Sequence, residues 1–140
     1  MFEITRNRIP MIGSIGLAGV FIFAGCIGQK YDLQATDAMP GAVGTVSISK
    51  DNLSDTIIEI NAQNLVALDE DQEDARYVAW TQFQNDSIKL GNLNVVGGNG
   101  RLISKTKLKQ FEVLVTSEEL SSVTVPASDA ILRTLPIVLD

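Results

Sequence analysis

The chain has 140 residues and a formal net charge of −6, with no histidine and one cysteine, Cys26. That composition leaves no intrachain disulfide, no Cys/His zinc site and no serine or cysteine nucleophile activated by histidine. The basic residues are dispersed, without the patch that phosphate neutralisation requires, so nucleic-acid binding is not expected.

The first ten residues carry Arg6 and Arg8 against Glu3. Residues 11–23 (MIGSIGLAGVFIF) form an uncharged apolar run, Ala24-Gly25-Cys26 follows, and the chain turns polar at Gln29-Lys30. This is the three-part layout of a secretory signal. Phe23, Ala24 and Gly25 directly before a lone cysteine resemble the bacterial and archaeal lipobox, although Phe23 stands where that motif prefers leucine. The resemblance implies that Cys26 takes a diacylglycerol group on its thiol and that the chain is cut just before it, which makes residues 1–26 a lipoprotein signal. Two acyl chains anchor durably, because each buried methylene contributes roughly 0.8 kcal/mol.

Two other readings stay open. One is an ordinary signal peptide; the other is a retained helix over 11–27, shorter than the roughly 20 residues a span prefers. In each case Arg6 and Arg8 hold the N-terminus inside, and the chain beyond Cys26 lies on the extracytoplasmic side of the cell membrane or an outer membrane.

Residues 27–42 have no sustained apolar period and read as a flexible tether, able to span roughly 20 Å in root-mean-square terms. From residue 43 the pattern becomes short β-branched runs punctuated by turns. Val46 and Ile48 share one face of 43–49. Ile58, Ile60 and Ala62 point inward from 56–65, with Glu59 and Asn61 to water. In 76–83, Val78 and Trp80 lie on the face opposite Tyr77, Ala79 and Phe83. Segments 87–96 and 102–107 flank Gly97-Gly98-Asn99-Gly100, a hairpin-turn signal. Phe111, Val113 and Val115 share a face of 111–117, and 123–125 and 130–135 complete the set. The expectation is an all-β domain over 43–140, an antiparallel sandwich of about seven or eight strands preceded by an N-terminal signal or anchor helix.

Five acids fall within six positions at 69–74 (DEDQED). Carboxylate oxygens suit calcium, which makes Asp69, Asp71 and Asp74 candidate ligands. The segment lacks the Asp-x-Asp-x-Asp-Gly register of a calcium hand and also reads as a solvated loop. Trp80 reads as a core anchor, the usual place of a sandwich tryptophan, before it reads as a stacking platform. Glu118, Glu119 and Asp129 could be set as paired carboxylates for glycoside hydrolysis. No aromatic stripe accompanies them, so no catalysis is expected. Gly97–Gly100 lacks the Lys-Ser/Thr of a phosphate loop. No cofactor is expected.

The order of several short motifs is familiar. Tyr77-Val78-Ala79-Trp80 is followed by Leu90-Gly91, then Phe111-Glu112-Val113-Leu114-Val115-Thr116-Ser117-Glu118, then Pro126-Ala127-Ser128. The series resembles the C-terminal extracytoplasmic domain of the anti-sigma-K factor family, with Tyr-x-x-Trp, Leu-Gly, Phe-x-Val-x-Val-Thr-x-Glu and a Pro-Ser-Gly turn. It covers roughly residues 43–135, and Ala127-Ser128-Asp129 departs from the family's last turn. The resemblance implies a non-catalytic interaction or sensing module. With ten residues before the apolar run, direct sigma-factor binding is not expected. The partners expected are the membrane, through the lipid, and an envelope protein. The alternative is a calcium-dependent adhesion or structural envelope protein that uses the acidic loop 69–74.

Overall fold

The computed structural model of the protein describes residues 28–53, 55–68 and 71–139. The signal segment, its anchor helix, Phe23, Ala24, Gly25 and Cys26 lie outside the described residues, as does Asp69. Every regular element among the described residues is a β-strand: β1 (Gln29–Ala35), β2 (Val43–Lys50), β3 (Thr56–Gln63), β4 (Arg76–Phe83), β5 (Asp86–Asn92), β6 (Asn94–Val96), β7 (Asn99–Thr106), β8 (Gln110–Glu118), β9 (Ala130–Arg133) and β10 (Ile137–Val138).

All pairings are antiparallel, in the order β5-β4-β8-β9-β1-β2-β3-β7-β6, with β10 also on β8. The borders of this sheet belong to one stretch of chain. β5 and β6 are successive parts of a single run, which starts against β4 (Phe83 opposite Asp86) and ends against β7 (Val96 opposite Asn99). The run therefore crosses from one border to the other and nearly closes the sheet into a barrel. At the seam the Ser104 hydroxyl donates to the Leu90 carbonyl at 3.1 Å. Leu90 is the extra residue of a bulge, since Ala79 pairs with Gly91 and Trp80 with Lys89. Gly91 takes φ +150°, and a Cβ there would lie 3.3 Å from Leu102 Cδ1, so the Leu-Gly motif marks the place where the seam needs a residue without a side chain.

The barrel replaces the expected sandwich, and ten strands replace seven or eight. The difference arises in the 87–96 run: its alternation marks a strand, but not the change of partner at Leu93. Residues 123–125, expected as a strand, are irregular. The expected tether is corrected as well. Gln29–Ala35 is strand β1, with Tyr31 opposite Val46 on one side and Leu132 opposite Ala35 on the other. Its inward positions Tyr31 and Leu33 join the core, and that burial holds the segment in the sheet.

Period-2 alternation fills the interior. Val46, Ile48, Ile58, Ile60, Ala62, Tyr77, Ala79, Phe111, Val113 and Val115 form one buried cluster with Leu132 and Ile137, on the faces expected from sequence. Apolar side chains inside and polar ones outside is the reverse of a membrane-spanning barrel. Thr81 shares the inward face, fully buried, and its Oγ1 has no hydrogen-bond partner among the described residues. Thr81→Val replaces that hydroxyl with a methyl of the same shape. It is expected to raise stability by about 1 kcal/mol, because an unsatisfied buried polar group costs roughly 1–3 kcal/mol. A calorimetric melting point above that of the wild type is the check.

β4 and β8 are buried on both faces. Val78, Trp80 and Leu114 form a second, smaller cluster on the outside of the barrel, covered by Val123 and Ala130 of the 119–130 stretch. Trp80 is thus fully buried, as expected of an anchor. It does not belong to the main core: being out of phase with Tyr77 and Ala79, it points outward and is covered by a loop.

Candidate functional site

The motif residues meet on the outer face of β4 and β8. Trp80 pairs with Leu114 and Val78 with Thr116 across the two strands, which places Trp80, Thr116 and Glu118 on one face. The Trp80 indole N–H donates to Thr116 Oγ1 at 2.9 Å. An indole nitrogen can only donate, so the threonine oxygen accepts there and its own proton turns to Glu118 Oε2, 2.6 Å away. The Glu118 carboxylate also accepts the backbone N–H of Ala127, at 3.3 and 3.2 Å to its two oxygens, and the Ser128 hydroxyl at 3.5 Å. Glu118 is 1% exposed. Four donor contacts from neutral groups converge on it, and no ion pair reaches it among the described residues. The result is a latch: a buried acceptor on β8 holds the 119–129 loop over Trp80. Lys89 adds a second fastening, donating to the Ser121 carbonyl at 2.5 Å.

The same arrangement settles what the three carboxylates considered for hydrolysis do. Glu118 is enclosed beneath the loop with its oxygens occupied, whereas Glu119 and Asp129 are exposed. Glu119 lines the recess beside residues 71–74, which neither Glu118 nor Asp129 borders.

A cleft opens where the β5–β6 run forks away from β4. The Leu93 N–H still donates to the Tyr77 carbonyl at 2.8 Å, and beyond it the chain turns to β7. The space left is about 670 Å³, with Ala75, Arg76 and Tyr77 on one side, Leu93, Asn94 and Val95 on the other, and residues 65–68 across it. The Arg76 guanidinium caps the β4 edge, donating to the carbonyls of Glu73 and Ala75, each at 2.7 Å. The β6–β7 hairpin turns through Gly97 and Gly98 at φ 59° and 83°, inside the expected hairpin-turn cluster, and β7 begins already at Asn99. Val66 at the rim is 61% exposed.

The Tyr77 hydroxyl at the base donates to the Val66 carbonyl. Burial pushes this phenol above its ordinary value of 10.0. The folded chain then holds the phenolic proton more tightly than the unfolded chain. The stability that follows is complete below the ordinary value and is lost as pH rises through the folded one. Tyr77→Phe is expected to flatten the fall of the urea midpoint above pH 10 relative to wild type. Equal slopes would show that Tyr77 does not ionise with unfolding.

Asp71, Gln72, Glu73 and Asp74 border a shallow recess of about 470 Å³ with Glu119 and Leu120. No group of three potential ligands is close enough to hold a metal ion among the described residues. Of the calcium candidates, Asp71 and Asp74 lie on the loop leading into β4, and Asp69 lies outside the described residues.

The latch was only partly visible in the sequence. Thr-x-Glu on one strand face and a tryptophan out of phase with the interior set were readable signals. Which face the loop would cover was not. No family model, curated protein or solved structure matches the chain. The class defined by fold and site is a nearly closed antiparallel β-barrel with an externally latched tryptophan and a cleft at one end.

Proposed function

We propose that the chain is an acyl-anchored, extracytoplasmic protein-interaction or sensing module without catalysis, similar to the outer domain of anti-sigma-K factors. One observation carries this reading. Trp80, Thr116, Glu118, Ala127 and Ser128 come from three separate motifs, matched by their order in the sequence, and they belong to a single hydrogen-bonded chain. Motifs matched by accident would scatter over the barrel; a shared domain design brings its signature residues together. The absence of histidine from the sequence fits a module that binds instead of reacting.

The partner-facing surface proposed is the cleft end. The cleft is lined mostly by apolar side chains, and the acid-rich loop leads directly into it. A polypeptide offering an apolar side chain flanked by basic residues matches both features. The test is photo-crosslinking in intact cells, with benzoylphenylalanine placed at Val66 and, in a second variant, at Ile103 on the outer wall. A discrete adduct from position 66 and none from position 103 is expected. Adducts of equal yield from both positions, or from neither, would contradict the assignment.

A further inference from the structure

The strand that replaces the tether has a consequence for how the domain sits. Gln29 is already paired with Ile48, and Gly28 packs so closely that a Cβ on it would lie 1.9 Å from the Ile48 carbonyl oxygen. One residue, Ile27, separates Cys26 from Gly28, a contour of at most roughly 7 Å between their Cα atoms. The anchor therefore leaves the barrel no slack, and the end at which β1 begins is drawn to the bilayer. That end is defined by register: Lys50 lies opposite Thr56, and Thr56 opposite Thr106. It holds the 51–55 loop, the 107–109 turn between β7 and β8, and the β4–β5 hairpin.

We propose that this end is seated on an anionic membrane surface, with Lys50 and Lys109 against lipid headgroups and Leu53 entering the headgroup layer; the proposal rests on the acyl anchor at Cys26. Charge is divided along the barrel in the sense this requires. At the Gln29 end Lys50, Lys105, Lys107 and Lys109 stand with Asp51, Asp55 and Asp86, four cations against three acids, whereas Asp37, Glu73, Asp74, Glu119 and Asp129 outnumber Arg76 and Arg101 at the other. Asp51 and Asp55 neutralise Lys105 and Lys107, at 2.8 and 3.0 Å. Lys50 and Lys109 are exposed and have no ion pair among the described residues.

Asp51 Oδ1 accepts the backbone N–H of both Leu53 and Asp55, at 2.8 and 2.9 Å, which ties these two residues to the end of β2. Leu53 stands outward with 80% of its surface exposed. Beside it, Ile88 and Leu108 share a recess of about 310 Å³ with Lys105 and Lys107. Asp55 lines the same recess, paired with Lys107, so its rim is near neutral, and apolar side chains beside lysine stems suit the boundary between headgroups and acyl chains. The acidic end is then held away from the anionic surface, where long-range repulsion is weakest.

The test uses the full chain, processed and acylated in its host and reconstituted into vesicles. Acylation consumes the Cys26 thiol, so Leu53→Cys and Val66→Cys each supply the sole free thiol for a nitroxide label. In vesicles of phosphatidylglycerol and phosphatidylcholine, collision with an aqueous nickel reagent is expected to be several-fold slower at position 53 than at 66. Lys50→Glu with Lys109→Glu should abolish most of that difference. Equal collision rates at the two positions overturn the seating. Shielding just as strong in pure phosphatidylcholine overturns the part given to the lysines. Labelling of the wild-type chain at Cys26 is a separate failure, that of the anchor itself.

Discussion

Trp80→Ala is expected to remove about 3–5 kcal/mol of stability, the usual cost of truncating a large buried aromatic. Against a total of roughly 5–15 kcal/mol for a single domain, that is a large share. Three losses combine at this position. The indole is fully buried between Val78, Leu114 and Val123, so its removal leaves a cavity in a cluster too small to repack. The Thr116 hydroxyl loses the donor that fixes its direction. The 119–129 loop loses the surface it covers. Urea unfolding followed by circular dichroism gives the magnitude. Because the cluster lies outside the barrel, the interior should persist, and limited proteolysis should cut first within 119–129. A loss below about 1 kcal/mol would mean that Trp80 is not covered as described.

Glu118→Leu is expected to cost about 1–3 kcal/mol although it replaces a buried carboxylate with an apolar side chain of similar size. The reason is what remains behind. The buried Thr116 O–H is left without its acceptor, at a cost of roughly 1–3 kcal/mol, and the part-buried Ala127 N–H, which can turn to water, loses its hold on the loop. Glu118→Gln separates packing from hydrogen bonding: its amide oxygen can still accept the Ala127 N–H, so the loss should be clearly smaller than for leucine. Trp80 lies one hydrogen-bonded residue away, and its fluorescence reports the transition directly. Equal losses for leucine and glutamine would show that the carboxylate charge, and not its acceptor geometry, holds the loop.

These two residues also show what the sequence made legible. Alternation placed Val46, Ile48, Ile58, Ile60, Phe111, Val113 and Val115 on the correct faces, because a strand with one buried side states its register in its own period. It divided β4 correctly into a Tyr77/Ala79 face and a Val78/Trp80 face. It could not say which face a loop would cover, since a strand buried on both sides has no polar face to mark the outside.

β1 was missed for the opposite reason. Only Tyr31 and Leu33 stand inward in a polar segment bounded by Gly28 and Pro40, too few apolar positions to distinguish a strand from a linker. The near-closure of the barrel depends on the change of partner at Leu93, a fact of pairing between distant segments that no local pattern encodes. Among the proposed site residues, Glu118 is legible in the sequence as an acid, but its role as an acceptor for Thr116, Ala127 and Ser128 depends on how distant segments pack.

On the proposed reading the two ends of the barrel have different tasks: the Gln29 end faces the membrane, and the cleft between β4 and β6 is presented outward. Everything in that division depends on Cys26 carrying the lipid.

The most direct measurement is therefore the intact mass of the protein extracted from the membranes of its host, beside a Cys26→Ser version. A wild-type mass equal to residues 26–140 plus a diacylglycerol group, with the serine version left uncleaved, is the expected result. A wild-type mass that still includes residues 1–25 and carries no lipid would contradict the acyl anchor and leave the barrel held by the apolar segment itself.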